Sequence, residues 1–145
     1  MNTPMPGTPV TAGDQALIDA AKSLIEKRYT ENRHHIASAV RGASGRVYTG
    51  LHLDTYVGRA SVCAEAVALG QAMAGGETGI EAIVSVRHPR PREQHQDCKV
   101  VSPCGICREM LTDFARGGFV ILLNGEAHVR VPVEELLPAK YRRHL

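Results

Sequence analysis

Two short segments carry side chains of the types and spacing that metal chemistry needs: Cys63-Ala64-Glu65 and, further on, Pro103-Cys104-Gly105-Ile106-Cys107. Thiolate sulfur is a favoured zinc ligand. Cys104 and Cys107 are three residues apart, so one helical turn presents both on the same side. Cys63 must then arrive from a second helix, with the two N-termini converging. Each segment reads as the start of a helix, where unpaired N–H groups and the helix dipole favour anions, so all three thiols are expected to ionise readily. Three thiolates fill three of the four tetrahedral positions of zinc. The fourth is open to a water whose pKa the metal lowers to about 7. Glu65, two residues beyond a ligand and not itself one, can take the proton of that water and pass it on.

Other readings of the same residues stay open at this level. Cys104-x-x-Cys107 could be a redox dithiol. Cys98 lies close enough in sequence to complete a structural four-cysteine zinc site, or it is a free loop thiol. Four cysteines could also make two disulfides, but the absence of an export signal and the motif contexts favour the metal.

The elements that must position these residues follow from periodicity and punctuation. Apolar residues at Leu17, Ile18, Ala21, Leu24 and Ile25 predict a helix over 14–29 with Asp14 as N-cap. Extended runs over 35–40 and 46–53, joined through Gly42-Ala43-Ser44-Gly45, predict a hairpin. Ser61 is the expected cap of a helix over 62–74, stopped by Gly75-Gly76. A buried-type strand over 80–86 leads into a charged, Pro-containing loop over 87–99, which is either a solvated loop or a substrate lid. Ser102 and Pro103 then open a helix running to about residue 116. Strands over 119–123 and 127–131 flank Asn124-Gly125-Glu126, and a short helix over 133–137 follows. Alternating strands and helices predict an α/β domain with one mixed sheet between helical layers.

Composition narrows the function. The chain has 145 residues, 43% hydrophobic and 22% charged, which suits a single globular domain over 14–145 behind a flexible tail over 1–13. A net charge of +2 and only 4% aromatic residues argue against a nucleic-acid strand as partner. No apolar run reaches the ~20 residues that span a bilayer, and the first residues lack the features of a signal peptide, so a cytoplasmic location is expected.

A ligand-x-Glu followed by Pro-Cys-x-x-Cys is the pattern of zinc deaminases. From about residue 36 to 141 the chain resembles the cytidine deaminase family, and within it looks most like the blasticidin-S deaminases. The carriers are Ala37-Ser38-Ala39, Gly45-Arg46-Val47-Tyr48-Thr49-Gly50, the two cysteine motifs with Ser102 and Arg108, and Glu135-Leu136-Leu137-Pro138. The resemblance implies a three-layer α/β/α fold with a five-stranded mixed sheet, a homotetramer, and one zinc per subunit on Cys63, Cys104 and Cys107. It implies that a cytosine-type ring of a free nucleoside is converted to the uracil form with loss of ammonia. The Ala64 N–H would meet the ring carbonyl, Glu65 the ring N3, and the Ser102 carbonyl the departing amine, with Tyr141 near the entrance. The family's sugar-gripping Asn-x-Glu is His52-Leu53-Asp54 here, and its ring-stacking Phe corresponds to His34. From the residues alone, His52 and Asp54 could equally be a surface pair. Ala66 stands where an Arg often follows the Glu, leaving Arg108 to offset the thiolate charge.

Overall fold

The computed structural model describes residues 7–144. Its elements are β1 (Thr8–Pro9), α1 (Ala12–Arg28), β2 (Ile36–Gly42), β3 (Val47–Leu51), α2 (Ala64–Ala74), β4 (Ile80–Arg87), β5 (Lys99–Val101), α3 (Gly105–Phe114), β6 (Phe119–Asn124) and β7 (Ala127–Pro132), with 3-10 turns at Gly58–Ala60 and Val133–Leu136. The strands form one mixed sheet in the order β1-β7-β6-β4-β2-β3, with β5 also paired to β4. Among the described residues, β4 and β6 are the one parallel pair.

Each sheet face buries its own apolar set, as strand alternation requires. Leu17, Ile18, Ala21 and Ile25 of α1 cover Ala37, Ala39, Val84 and Val86 on one face. Ala68, Leu69 and Leu111 of α2 and α3 cover Val40, Ile83, Val120 and Val131 on the other. The expected three layers are present. The sheet has seven strands where five were expected. The additions, β1 and β5, span two and three residues and are too short to carry a periodic signal.

Five element boundaries differ from expectation. Thr11, not Asp14, caps α1; Asp14 closes a capping box from the third helical position, because its carboxylate reaches back to the Thr11 N–H. The helix therefore starts inside the expected tail, whose Thr8 and Pro9 pair with Arg130 and Val129 at the sheet edge. Residues 1–6 of that tail lie outside the described residues. Helices α2 and α3 begin two residues later than expected, with Cys63 and Cys104 themselves at the N-cap positions in place of Ser61 and Ser102. Finally, the expected loop gives up Arg87 to β4 and Lys99 to β5.

Candidate active site

Helix α2 lies unusually close to β3 because Gly50 has no side chain. A Cβ there would stand 2.4 Å from the Ala68 nitrogen and 2.9 Å from the Ala64 carbonyl oxygen. Beyond β3 the chain stays extended: Leu53 and Val62 exchange backbone hydrogen bonds of 2.9 and 3.0 Å. That exchange brings Cys63 alongside the segment after β3 that carries His52 and Asp54. On the other side, β5 pairs Val101 with Ser85, delivering Ser102, Pro103 and Cys104 to the same end of β4.

The two helix starts converge. The sulfurs of Cys63, Cys104 and Cys107 lie within 4.8 Å of one another, and those of Cys63 and Cys104 are 3.6 Å apart. Ligands of a tetrahedral zinc at about 2.3 Å stand roughly 3.8 Å from each other, so the donor set fits such an ion. All four cysteines are free thiols. Cys98 is no part of the cluster: it packs against the α1-side core, so a four-cysteine structural site is not formed. Cys98 instead lines a separate cavity of about 390 Å³ with Ile18, Lys22, Val100 and Leu123.

The thiols differ more than helix-start position alone suggests. Burial pushes Cys107 well up, reinforced by the Glu65 carboxylate, and burial likewise raises Cys63. At Cys104 burial also opposes ionisation, but the Cys107 backbone N–H, the neighbouring thiols and the Ile106 backbone N–H outweigh it and lower the pKa. Easy ionisation therefore holds for Cys104 alone. At the other two positions burial wins over the helix dipole.

Glu65 is 6% exposed, with Oε2 at 3.5 Å from the Cys107 sulfur and Oε1 accepting from the Ser85 hydroxyl at 2.8 Å. His52 is beside it: burial lowers the His52 pKa, and Asp54, His34 and Glu65 all act on it electrostatically. The His34 ring lies 2.8 Å from the His52 carbonyl, and Asp54 is held by its backbone N–H on the Arg33 carbonyl at 2.9 Å. His34, His52 and Asp54 thus lie near one another, with His52 within electrostatic reach of Glu65. Ala64 is the first residue of α2 and is buried.

Arg108 is committed to the backbone of the motif. It donates to the Pro103 carbonyl at 2.9 Å, to the Ser102 hydroxyl at 2.8 Å and to the Leu136 carbonyl at 3.4 Å. Tyr141 is not drawn in; it is 78% exposed. The loop over 87–99, read as either a solvated loop or a substrate lid, is clamped: Arg87 grips Glu93 through two bonds, and Arg90 reaches Asn32 and Glu31. Three residues without a role in the sequence reading also belong here. They are Ser38 and Ser85, which touch each other, Ser85 also reaching Glu65, and His35, buried between His52 and Tyr29. A serine within an apolar strand run was the one available signal.

Residues 11–123 match the cytidine and deoxycytidylate deaminase zinc-binding region. The chain belongs to this family. The deaminase is 40% identical to a blasticidin-S deaminase of Bacillus cereus over 93% of this chain and 96% of that one. It is 24% identical to a cytidine deaminase of Sporosarcina psychrophila over 87% of this chain and 85% of that one. Among solved structures it is similar to the cytidine deaminase of Bacillus anthracis, with a TM-score of 0.74 and 28% identity over 88% of this chain and 89% of that one. The cytidine deaminase of Burkholderia pseudomallei gives 0.71 and 26% over 91% and 100%. The deaminase is thus a zinc-dependent hydrolytic enzyme. No helix among the described residues is long and apolar enough to cross a membrane.

Proposed function

We propose that this deaminase removes the amine from the cytosine ring of a free nucleoside, giving the uracil form and ammonia. The observation that carries the reading is a buried carboxylate, Glu65, beside three clustered sulfurs and free of any ligand role. Cys63, Cys104 and Cys107 hold one zinc per subunit. Zinc, when bound, supplies the Lewis acidity that makes water a nucleophile at neutral pH.

The chain's own residues do the rest. Glu65 takes the proton of the attacking water, hands it to ring N3 and then assists the amine as it leaves. The Ala64 N–H binds the ring carbonyl and the Ser102 carbonyl receives the amino group, with Arg108 bracing that backbone. Burial of Glu65 keeps bulk water from competing for the proton.

On the sugar side, His34, His52 and Asp54 form the binding wall. A histidine and a shortened acid in place of Asn-x-Glu depart from the cytidine pattern, and the name of the Bacillus cereus relative, a blasticidin-S deaminase, supports a cytosine-bearing antibiotic nucleoside ahead of cytidine. The active form is a cytoplasmic homotetramer. The exposure of Tyr56, Val57, Ile106 and Tyr141 supports a partner subunit covering this end, with Tyr141 then at the substrate entrance.

Ammonia release from cytidine, deoxycytidine, blasticidin S and cytosine tests the reading, with Glu65→Ala as control. Turnover of blasticidin S above the others, lost in the variant while zinc stays bound, is the expected result. Turnover by Glu65→Ala would remove the proton-carrier role. Silence of the zinc-loaded enzyme on all four would redirect the reaction to a different amino-heterocycle.

A further inference from the structure

Among the described residues, two buried polar side chains stand within the strands, both on the sheet face beneath α2 and α3. Ser38 and Ser85, 0% and 4% exposed, stand directly opposite each other in the β2–β4 register. Their neighbours on that face, Val40 and Ile83, belong to the core. Alanine would fit either position. A buried hydroxyl left unpaired keeps its full desolvation cost, so two of them in the core call for partners.

The partners form a directed chain. Ser85 Oγ lies 2.8 Å from Glu65 Oε1 and 2.6 Å from Ser38 Oγ. An ionised carboxylate only accepts, and a serine has one hydroxyl hydrogen. Ser85 therefore spends its hydrogen on Glu65, and Ser38 must supply the hydrogen between the two serines. The order is Ser38 to Ser85 to Glu65. Oε1 is thereby held, while Oε2 faces the Cys107 sulfur at 3.5 Å, on the side of the metal ligands.

We propose that Ser85, itself oriented by Ser38, is a positioning residue that makes Oε2 of Glu65 the oxygen that takes and returns the proton. The proposal rests on Glu65 being the proton carrier. In each turnover Oε2 gains a proton from water and gives it to the substrate, and both serine hydrogens stay on their own oxygens. A glutamate free to rotate would lose part of the benefit of fixed geometry.

The test is steady-state kinetics with zinc-loaded enzyme on blasticidin S and cytidine, beside zinc content and melting temperature. Ser85→Ala should lower kcat by about 10- to 100-fold and leave KM within about twofold, the signature of a lost contribution to the chemical step. Zinc content should not change, and Ser85→Thr, which keeps the hydroxyl, should recover most of the loss. Ser38→Ala should lower kcat about threefold or more alone and nothing further in the Ser85→Ala background, because it acts only through Ser85. Wild-type kcat in Ser85→Ala, or multiplying losses in the double variant, would overturn the proposal. Should Ser85→Ala not fold, Ser38→Ala decides: a kcat loss at constant KM supports the chain and no loss refutes it. Glu65→Ala separates the two levels. If it keeps turnover, the reading of Glu65 fails; if it is inactive while Ser85→Ala is normal, only the positioning chain fails.

Discussion

The His34 ring donates from Nδ1 to the backbone carbonyl of His52 across 2.8 Å. The carbonyl can only accept, so the proton of neutral His34 sits on Nδ1. The same logic runs along the wall. His52 Nδ1 accepts from the His35 N–H at 3.3 Å, and His35 Nε2 accepts from the Asn32 N–H at 2.9 Å. Neutral His52 therefore carries its hydrogen on Nε2, offering one donor where an asparagine would offer an amide with both donor and acceptor.

That difference makes sugar selectivity testable. Replacing His52 by Asn and Asp54 by Glu together should raise kcat/KM on cytidine by about tenfold or more, equivalent to ~1.4 kcal/mol of transition-state binding. Competition between cytidine and blasticidin S is the measurement. An unchanged ratio would make the pair packing residues.

The same hydrogen bonds set a pH limit on stability. Burial lowers the pKa of His35, helped by Arg90 and His52, and burial lowers that of His52 against the pull of Asp54 and Glu65. The folded chain then binds fewer protons than the unfolded one, so this stabilisation is full above the unfolded value near 6.5 and is lost as pH falls through the lowered folded values. Protonation would also set the His52 Nδ1 hydrogen against the His35 N–H. Melting temperature should fall between pH 7.5 and 5, and less steeply in His52→Asn. Parallel curves would refute the assignment. Asp14 and Glu93, both lowered, act only below the ordinary carboxylate values of 3.8 and 4.5 and leave this window clear.

Metal loading offers a third check. Since Cys63 and Cys107 are raised by burial, both enter zinc binding as thiols and must lose their protons to it. Calorimetry in buffers of different ionisation enthalpy should find about two or more protons released per zinc near pH 7. Cys98→Ser should bind one zinc per chain as before, and Cys104→Ser should bind it far more weakly. Loss of the metal from Cys98→Ser would reopen the four-cysteine reading.

The cluster of Cys63, Cys104, Cys107 and Glu65 was legible because residue type and spacing already encode it. The main helices and five of the strands were legible because their periodicities are long enough to read. The helix starts were misjudged for a specific reason. Ser61 and Ser102-Pro103 are good capping signals, yet the helices begin later, with the cysteine residues themselves at the cap positions. Strand β5, three residues long, pairs Val101 with Ser85 and so delivers Ser102 to the end of β4, yet it has no pattern of its own. The serine pair depends on strand register, which a single sequence does not specify.

Asp14 illustrates the reverse case, a residue read as a local cap that ties the fold together. It is fully buried and meets Arg41 of β2 at 2.9 Å and Arg130 of β7 at 3.1 Å, while still accepting from the Thr11 N–H at 3.0 Å. Arg130 in turn lies over the Phe119 ring at 3.9 Å. One carboxylate thus fastens the start of α1 to strands from both halves of the sheet. Asp14→Asn keeps a capping acceptor but leaves two guanidinium groups without their buried counter-charge. Breaking such a pair from one side costs about 3–5 kcal/mol. Losing the Thr11 cap alone, as in Thr11→Ala, costs only about 1 kcal/mol. Urea unfolding should therefore rank Asp14→Asn well below Thr11→Ala in stability. Because α1 covers the sheet face opposite α2 and α3, zinc content and kcat of Asp14→Asn should stay normal below its unfolding transition. Equal losses in the two variants would reduce Asp14 to a helix cap, and a lower kcat in the folded variant would mean that the α1 face is coupled to the site.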